Sequence, residues 1–211
     1  MGNNNNISSI VYEKLSNLIE NPVCELNFTN AFELIIAVVL SAQCTDKRVN
    51  LVTPVLFKKY PDCFALANAN LEDLEKIIKS CGMYKTKAKH IKELAGQLAK
   101  DYNGQVPSDR ERLESLSGVG RKTANVVLAV GFNIPAIPVD THLIRVSNRL
   151  GLTTSEDPRI IEKDLEELFP KEKWNEIHHL LLLFGRYHCK AIKPNCENCV
   201  LCKYCKSPKF K

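Results

Sequence analysis

Apolar residues recur along the chain at spacings of three and four. Val11, Leu15, Leu18 and Ile19 fall on one helix face, as do Leu71, Leu74, Ile77 and Ile78, and again Ile91, Leu94, Ala95 and Leu98. Phe32 to Leu40 is apolar on every side, the pattern of a helix sunk in a core. Asp157-Pro158 supplies an N-cap and a first-turn proline for a helix running through Leu168. Trp174, Ile177, Leu180, Leu181 and Phe184 mark a last long helix. No stretch alternates with period two between turn signals. The pattern predicts an all-α fold of about ten short helices, with no long linker and no repeat at solenoid spacing.

Leu113 to Leu150 interrupts this regularity. An amphipathic segment ends at Leu116, Ser117-Gly118-Val119-Gly120 makes a tight turn, and a second helix carries Arg121, Lys122, Thr123 and a long apolar run. Two glycines spaced one apart at a helix start let the backbone bend sharply and approach a ligand closely. First-turn N–H groups and the positive dipole end then favour an anion, most often a phosphate oxygen. The dinucleotide fingerprint does not fit, because no strand precedes the turn and its third glycine is missing. Eighteen residues after Lys122, Asp140 stands in Val139-Asp140-Thr141-His142 as a helix N-cap. Singly, these features read as a tight connection, a cap and a solvated lysine. Together they make Lys122 and Asp140 a candidate catalytic pair.

At 211 residues the chain has room for one large or two small domains. The longest apolar stretch, near Leu34 to Ala42, is too short to span a bilayer. No apolar segment follows a basic one at the start, and position six is Asn6 rather than the Ser or Thr of a myristoylation signal. A cytoplasmic protein with a short, disordered, Asn-rich start is expected. Net charge is +5, and its placement matters more than its size. From Cys189 onward six lysines (190, 193, 203, 206, 209 and 211) face Glu197 alone, which leaves the first 188 residues neutral. A basic tail beside a phosphate-binding turn fits nucleic acid better than a membrane. A lysine-rich end that only aids solubility is the competing reading.

Nine cysteines is many for an intracellular chain. Cys24, Cys44, Cys63 and Cys81 are scattered and read as small, reduced, buried residues. Cys189, Cys196, Cys199, Cys202 and Cys205 crowd one stretch, and without a secretory signal they read as a metal site. Paired zinc knuckles stand farther apart than Cys196-x2-Cys199 and Cys202-x2-Cys205, whereas tight x2 runs resemble iron–sulfur ligation. Zinc stays the alternative, and Cys202, at x2 spacing from both neighbours, leaves the ligand set open.

The turn and the helix after it resemble a helix-hairpin-helix DNA-binding motif. The order hairpin, Lys122, Val-Asp-Thr-His, then a C-terminal cysteine loop resembles the endonuclease III family of DNA glycosylases, from about Val11 to Cys205. The resemblance implies two helical lobes with a cleft between them. One is a helical barrel over residues 24–134 that carries the hairpin; the other is a discontinuous domain of residues 1–23 plus 135–211, with Pro135 and Pro138 bracketing the crossing. It implies a [4Fe–4S] cluster on Cys189, Cys196, Cys199 and Cys205, with Cys202 spare. It also implies a bifunctional glycosylase and AP lyase of base excision repair, and a monomer is the default expectation. Its partner is double-stranded DNA with damaged bases or abasic sites, and its substrates are oxidised pyrimidines such as thymine glycol. Lys122 is then the nucleophile and Asp140 its partner. Gln43 plugs the gap left by a flipped base, and Met83 stands where the family usually has a leucine wedge. Gly118, Val119, Gly120, Arg121 and Thr123 contact the backbone, His142 lines the cleft, and Lys190 and Lys193 present the cluster loop to phosphate. Apart from the resemblance, Gln43 and Met83 read as a helix-end polar residue and a loop methionine. His178 and His179 read as ordinary helix residues. Ser117 departs from the proline common at that point of the hairpin.

A neutral lysine amine attacks the anomeric carbon of an N-glycosidic bond and then holds the sugar as a Schiff base. The helix N-terminus, Arg121 and desolvation by bound DNA all disfavour the ammonium form. A carboxylate at Asp140 stabilises cationic sugar character as the base departs. Two other readings compete. One is an adenine glycosylase, whose family usually lacks a lysine here and carries a further C-terminal domain. The other is a non-catalytic helical DNA-binding protein with a structural metal.

Overall fold

The computed structural model describes residues 4–207. Eleven α-helices follow one another with short connections, and no strand occurs among the described residues. They are α1 (Asn4–Leu18), α2 (Ala31–Ser41), α3 (Asp46–Lys59), α4 (Cys63–Ala67), α5 (Leu71–Ile78), α6 (Tyr84–Asp101), α7 (Arg110–Glu114), α8 (Arg121–Val126), α9 (Thr141–Leu150), α10 (Pro158–Leu168) and α11 (Trp174–Tyr187). The Asn-rich start departs from the expected disorder, since α1 is already wound at Asn4. Residues 1–3, and Lys209 and Lys211 of the basic tail, lie outside the described residues.

Two compact units divide the chain. One runs from Glu25 to Asn133; the other comprises the segment up to Cys24 and everything from Ile134 onward. In the first, α2 is the central rod, with Phe32 and every residue from Leu34 to Leu40 buried. It packs against α3, α6 and α8. Asn30, Thr45, Asp62, Asn70 and Asp109 each cap a helix of this unit by accepting a first-turn N–H. Such a cap contributes ~1 kcal/mol. The apolar run after the hairpin departs from the single helix expected of it. It is α only through Val126, and Val127–Gly131 is a π turn. Gly131 lies against Leu34 of α2, whose Cδ2 is 3.0 Å from where a Cβ would stand.

The second unit buries Val11 and Leu15 of α1, Leu143, Val146 and Leu150 of α9, Ile161 and Leu165 of α10, and Ile177, Leu180 and Phe184 of α11 in one core. Asp157 caps α10 and Pro158 opens it, as the sequence predicts. His178 and His179 are buried in α11, and burial pushes the His179 imidazole below its ordinary value. Helices α9 and α11 approach closely because Gly185 has no side chain. A Cβ there would stand 2.9 Å from the Cβ of His142.

Candidate DNA-facing and metal-binding sites

The hairpin is built from α7, the turn and α8. Gly118 sits at φ 76, and a Cβ on it would come within 2.9 Å of the His90 side chain. Glycine is therefore required twice, by the left-handed backbone and by the lack of space. Val119 is buried and donates its N–H to the Leu116 carbonyl at 3.1 Å, while the Gly120 carbonyl accepts from Ala124 at 2.9 Å. Ser117 is held from α6. Its N–H donates to Gln97 Oε1 at 2.7 Å and its hydroxyl to Glu93 Oε2 at 2.8 Å. A proline would stiffen the chain but lose that N–H; here two hydrogen bonds do the stiffening, and sequence spacing gave no sign of them. Lys122 is the second residue of α8 and is exposed, while Arg121 and Thr123 are half-buried beside it.

Gln43 and Met83 occupy turns of the same unit, after α2 and before α6. Both are exposed and both adopt left-handed backbone, at φ 53 and 54. Positive φ on residues other than glycine costs of order ~1 kcal/mol and clusters at functional positions. The two turns abut, since a Cβ on Gly82 would stand 3.6 Å from the Gln43 carbonyl oxygen.

In the other unit Asp140 caps α9. Its Oδ1 accepts the N–H of His142 and of Leu143, both at 2.9 Å. One carboxylate oxygen thus makes both capping bonds, which aims the group along a defined direction. His142 is half-buried, with Nδ1 3.1 Å from Nη2 of Arg145. Arg145 also donates to the carbonyls of Gly185, at 2.7 Å, and of Cys189, at 3.0 Å. The α9 helix and the start of the cysteine loop are therefore tied by one guanidinium.

Cys189, Cys196, Cys199, Cys202 and Cys205 line one cavity, walled by Leu150, Phe184 and Leu201 and overlooked by Arg149. Arg149 Nη1 lies 3.3 Å from the Cys189 sulfur and donates to the Lys190 carbonyl at 2.8 Å. An arginine on α9, which spacing could not reveal, therefore touches the first sulfur of the loop. Lys190 and Lys193 are exposed, and Lys193 takes left-handed backbone at φ 51. Burial, and behind it the other thiols, push the Cys196 thiol up; burial does the same to Cys199. At those two positions the bare thiolate is the less favoured form, which a bound positive centre would reverse. Among the described residues no three His, Cys, Asp or Glu side chains converge closely enough to hold one metal ion. Five cysteines around one cavity, four of them at tight x2 spacing, are a donor set that fits thiolate ligation of iron–sulfur or zinc. Of the four scattered cysteines, Cys63 and Cys81 are buried as expected, while Cys24 and Cys44 are only half-buried.

The predicted residues thus fall into two sets. Gln43, Met83 and Gly118 to Thr123 belong to the Glu25–Asn133 unit; Asp140, His142, Lys190, Lys193 and the cysteines belong to the other.

The chain matches the model of the HhH-GPD superfamily of base excision DNA repair proteins over residues 36–171. It is 49% identical over 195 residues to the endonuclease III of Bacillus subtilis (strain 168), spanning 92% of this chain and 89% of that protein. It is 44% identical over 198 residues to the endonuclease III of Escherichia coli (strain K12), spanning 91% and 94%. Among solved structures, a trapped endonuclease III–DNA covalent intermediate superposes with a TM-score of 0.93 at 47% identity, over 98% of this chain and 97% of that one. A thermostable thymine-DNA glycosylase superposes with a TM-score of 0.82 at 26% identity, over 94% and 93%.

Proposed function

Because this chain belongs to the endonuclease III family of the HhH-GPD superfamily, we propose that it removes oxidised pyrimidines from duplex DNA through a Schiff base on Lys122. It then cuts the strand 3′ to the abasic site by β-elimination. Membership makes it a DNA glycosylase and AP lyase of base excision repair. What carries the Schiff-base assignment is the exposure of Lys122 in the first turn of α8, directly behind the hairpin. A solved relative is a covalent enzyme–DNA intermediate, which supports covalent chemistry here.

The Lys122 amine, once neutral, attacks C1′ of the damaged nucleotide as the C1′–N bond breaks. The base leaves with the bonding pair and is protonated. Loss of the amine proton and ring opening give an iminium between Nζ and C1′. The iminium acidifies the C2′ proton; its removal expels the 3′ phosphate, and water then frees the lysine. Asp140 stabilises positive charge on the sugar and can relay a proton. Gln43 and Met83 fill the space vacated by the flipped nucleotide, their exposure and left-handed turns projecting them from the surface. The hairpin amides, Arg121, Thr123 and His142 hold the DNA, with Lys190 and Lys193 adding phosphate contacts.

Cys189, Cys196, Cys199 and Cys205 would hold a [4Fe–4S] cluster, and Cys202 lines the same cavity. Bound there, it would tie the loop together through those thiolates. The protein acts as a cytoplasmic monomer, and among the described residues no helix is long and apolar enough to cross a membrane.

The test is borohydride trapping on a duplex containing thymine glycol. A covalent protein–DNA adduct should form, and Lys122→Ala should abolish it. Base release without an adduct would replace this mechanism with that of a monofunctional glycosylase.

A further inference from the structure

Two thiols apart from the proposed catalytic groups meet in the Glu25–Asn133 unit. Cys44 directly follows Gln43, and its N–H donates to the Ser41 carbonyl at 3.0 Å. Cys81 closes the turn after α5, its N–H donating to Ile78 at 2.8 Å, two residues before Met83. The two are distant in sequence, yet their turns abut where Gly82 meets the Gln43 carbonyl, and each sulfur lies within electrostatic reach of the other. Cys81 is fully buried, while Cys44 is half-buried and open to solvent on one side. Lys87 of α6 lies against the pair, 3% exposed, with its ammonium donating to the Leu40 carbonyl at 2.8 Å. Its charge acts on both sulfurs, and that of Arg48 acts on Cys81.

We propose that Cys44 and Cys81 form a dithiol that closes to an intrachain disulfide by exchange with low-molecular-weight disulfides, cross-linking the two turns that carry Gln43 and Met83. The two turns meet at Gly82 and the Gln43 carbonyl, one residue from each cysteine, so closure needs little backbone movement. Cys44 is the sulfur a reagent meets first, while burial, and then the neighbouring Cys44, push Cys81 up to about 11. The Cys44 thiolate attacks one sulfur of a disulfide such as oxidised glutathione, and one glutathione thiolate leaves. In the mixed disulfide the Cys44 sulfur itself carries no charge, which removes its repulsion of a Cys81 thiolate. Cys81 then attacks the Cys44 sulfur and expels the second glutathione. Two electrons pass from the pair to glutathione, and the two thiol protons go to the departing thiolates.

The consequence for DNA rests on the roles proposed above for Gln43 and Met83. A kinked duplex needs both turns to adjust, and a cross-link between their neighbours resists that. The experiment uses the cluster-loaded full chain, equilibrated with mixtures of reduced and oxidised glutathione, alkylated, and digested without reductant. A peptide pair joined through Cys44 and Cys81 should appear, grow with the oxidised fraction and vanish on reduction, with the visible absorbance of the cluster unchanged. Amide exchange should slow in residues 41–45 and 79–84 whatever the enzymatic activity. Closed protein should cut an abasic duplex about tenfold more slowly than reduced protein, the scale of a small displacement of a substrate-positioning group. Cys44→Ser should remove both the joined peptides and the redox sensitivity, and Cys81→Ser should stop at glutathione on Cys44. Wild-type protein that stops at glutathione on Cys44 would overturn the dithiol. A joined pair with unchanged exchange and cutting would overturn its coupling to the turns. If reduced protein cuts no substrate while the pair still closes, the glycosylase reading fails and the dithiol stands.

Discussion

Asp140 carries two duties on one carboxylate. Oδ1 accepts the His142 and Leu143 N–H groups and so caps α9; the proposed chemistry uses the negative charge. The duties separate by substitution. Asparagine caps as well as aspartate but carries no charge to stabilise a cationic sugar. Asp140→Asn should keep the thermal midpoint within a degree or two, while base release falls about 10²-fold or more. Parallel melting curves and single-turnover assays on lesion DNA would check this, and a large loss of stability would show that the charge matters chiefly to the cap. The cap was legible from the order Val-Asp-Thr-His. The left-handed backbone of Gln43 and Met83 was not, since neither is a residue type that announces positive φ. Arg149 at the Cys189 sulfur was equally hidden, because the contact joins positions about forty residues apart.

At the scale of elements, the hairpin is positioned by its neighbour α6. Gln97 and Glu93 bond Ser117, and His90 packs under Gly118. The amide of Gln97 accepting the Ser117 N–H contributes ~1 kcal/mol. Gln97→Ala should lower stability by about that amount. Gly118→Ala should cost more, ~1–3 kcal/mol, because it adds left-handed strain to a clash with His90. Chemical denaturation gives both values, and the reverse order would mean that the turn relaxes freely. Helix positions were readable from apolar spacing, and α2, α6, α10 and α11 lie where the periodicity puts them. The clamp on Ser117 was not readable, since glutamate and glutamine on a helix face ordinarily meet only water.

On the scale of the whole molecule, charge and cysteine chemistry share one region. Lys190 and Lys193 are exposed in the loop whose cysteines line the cavity. If they meet phosphates, Lys193→Gln should weaken binding uniformly across sequences and reduce the slope of log affinity against log salt by about 1. Fluorescence titration at several salt concentrations measures the slope, and an unchanged slope would remove Lys193 from the interface. Cys189, Cys199 and Tyr204 pack against the core formed by α1, α9, α10 and α11. Ligation energy would therefore be folding energy for that unit. Cys199→Ser should lose iron and visible absorbance together, and lower the melting temperature by about 2–4 °C for each kcal/mol forfeited. A colourless, fully stable and active variant would sink the structural role. Cysteine spacing marked this cavity in advance, since the five cysteines crowded in the sequence all line it.

The π turn at Val127–Gly131 has a bearing on sequence length rather than composition. Such a turn holds one residue more than the α turn it replaces, and one residue is about 100° of helical rotation. A π turn therefore absorbs that residue, because its five steps sweep about the same angle as four steps of an α-helix. Lys122 at the hairpin and Gly131 against Leu34 keep the relative azimuth of an uninterrupted helix one residue shorter. Deleting a single apolar residue from this run would restore a regular α-helix and leave both hydrophobicity and the facing of its ends nearly untouched. Adding one to the regular part of the helix would instead turn one end by about 100° relative to the other. Length, in this stretch, has room to shrink by one residue and none to grow.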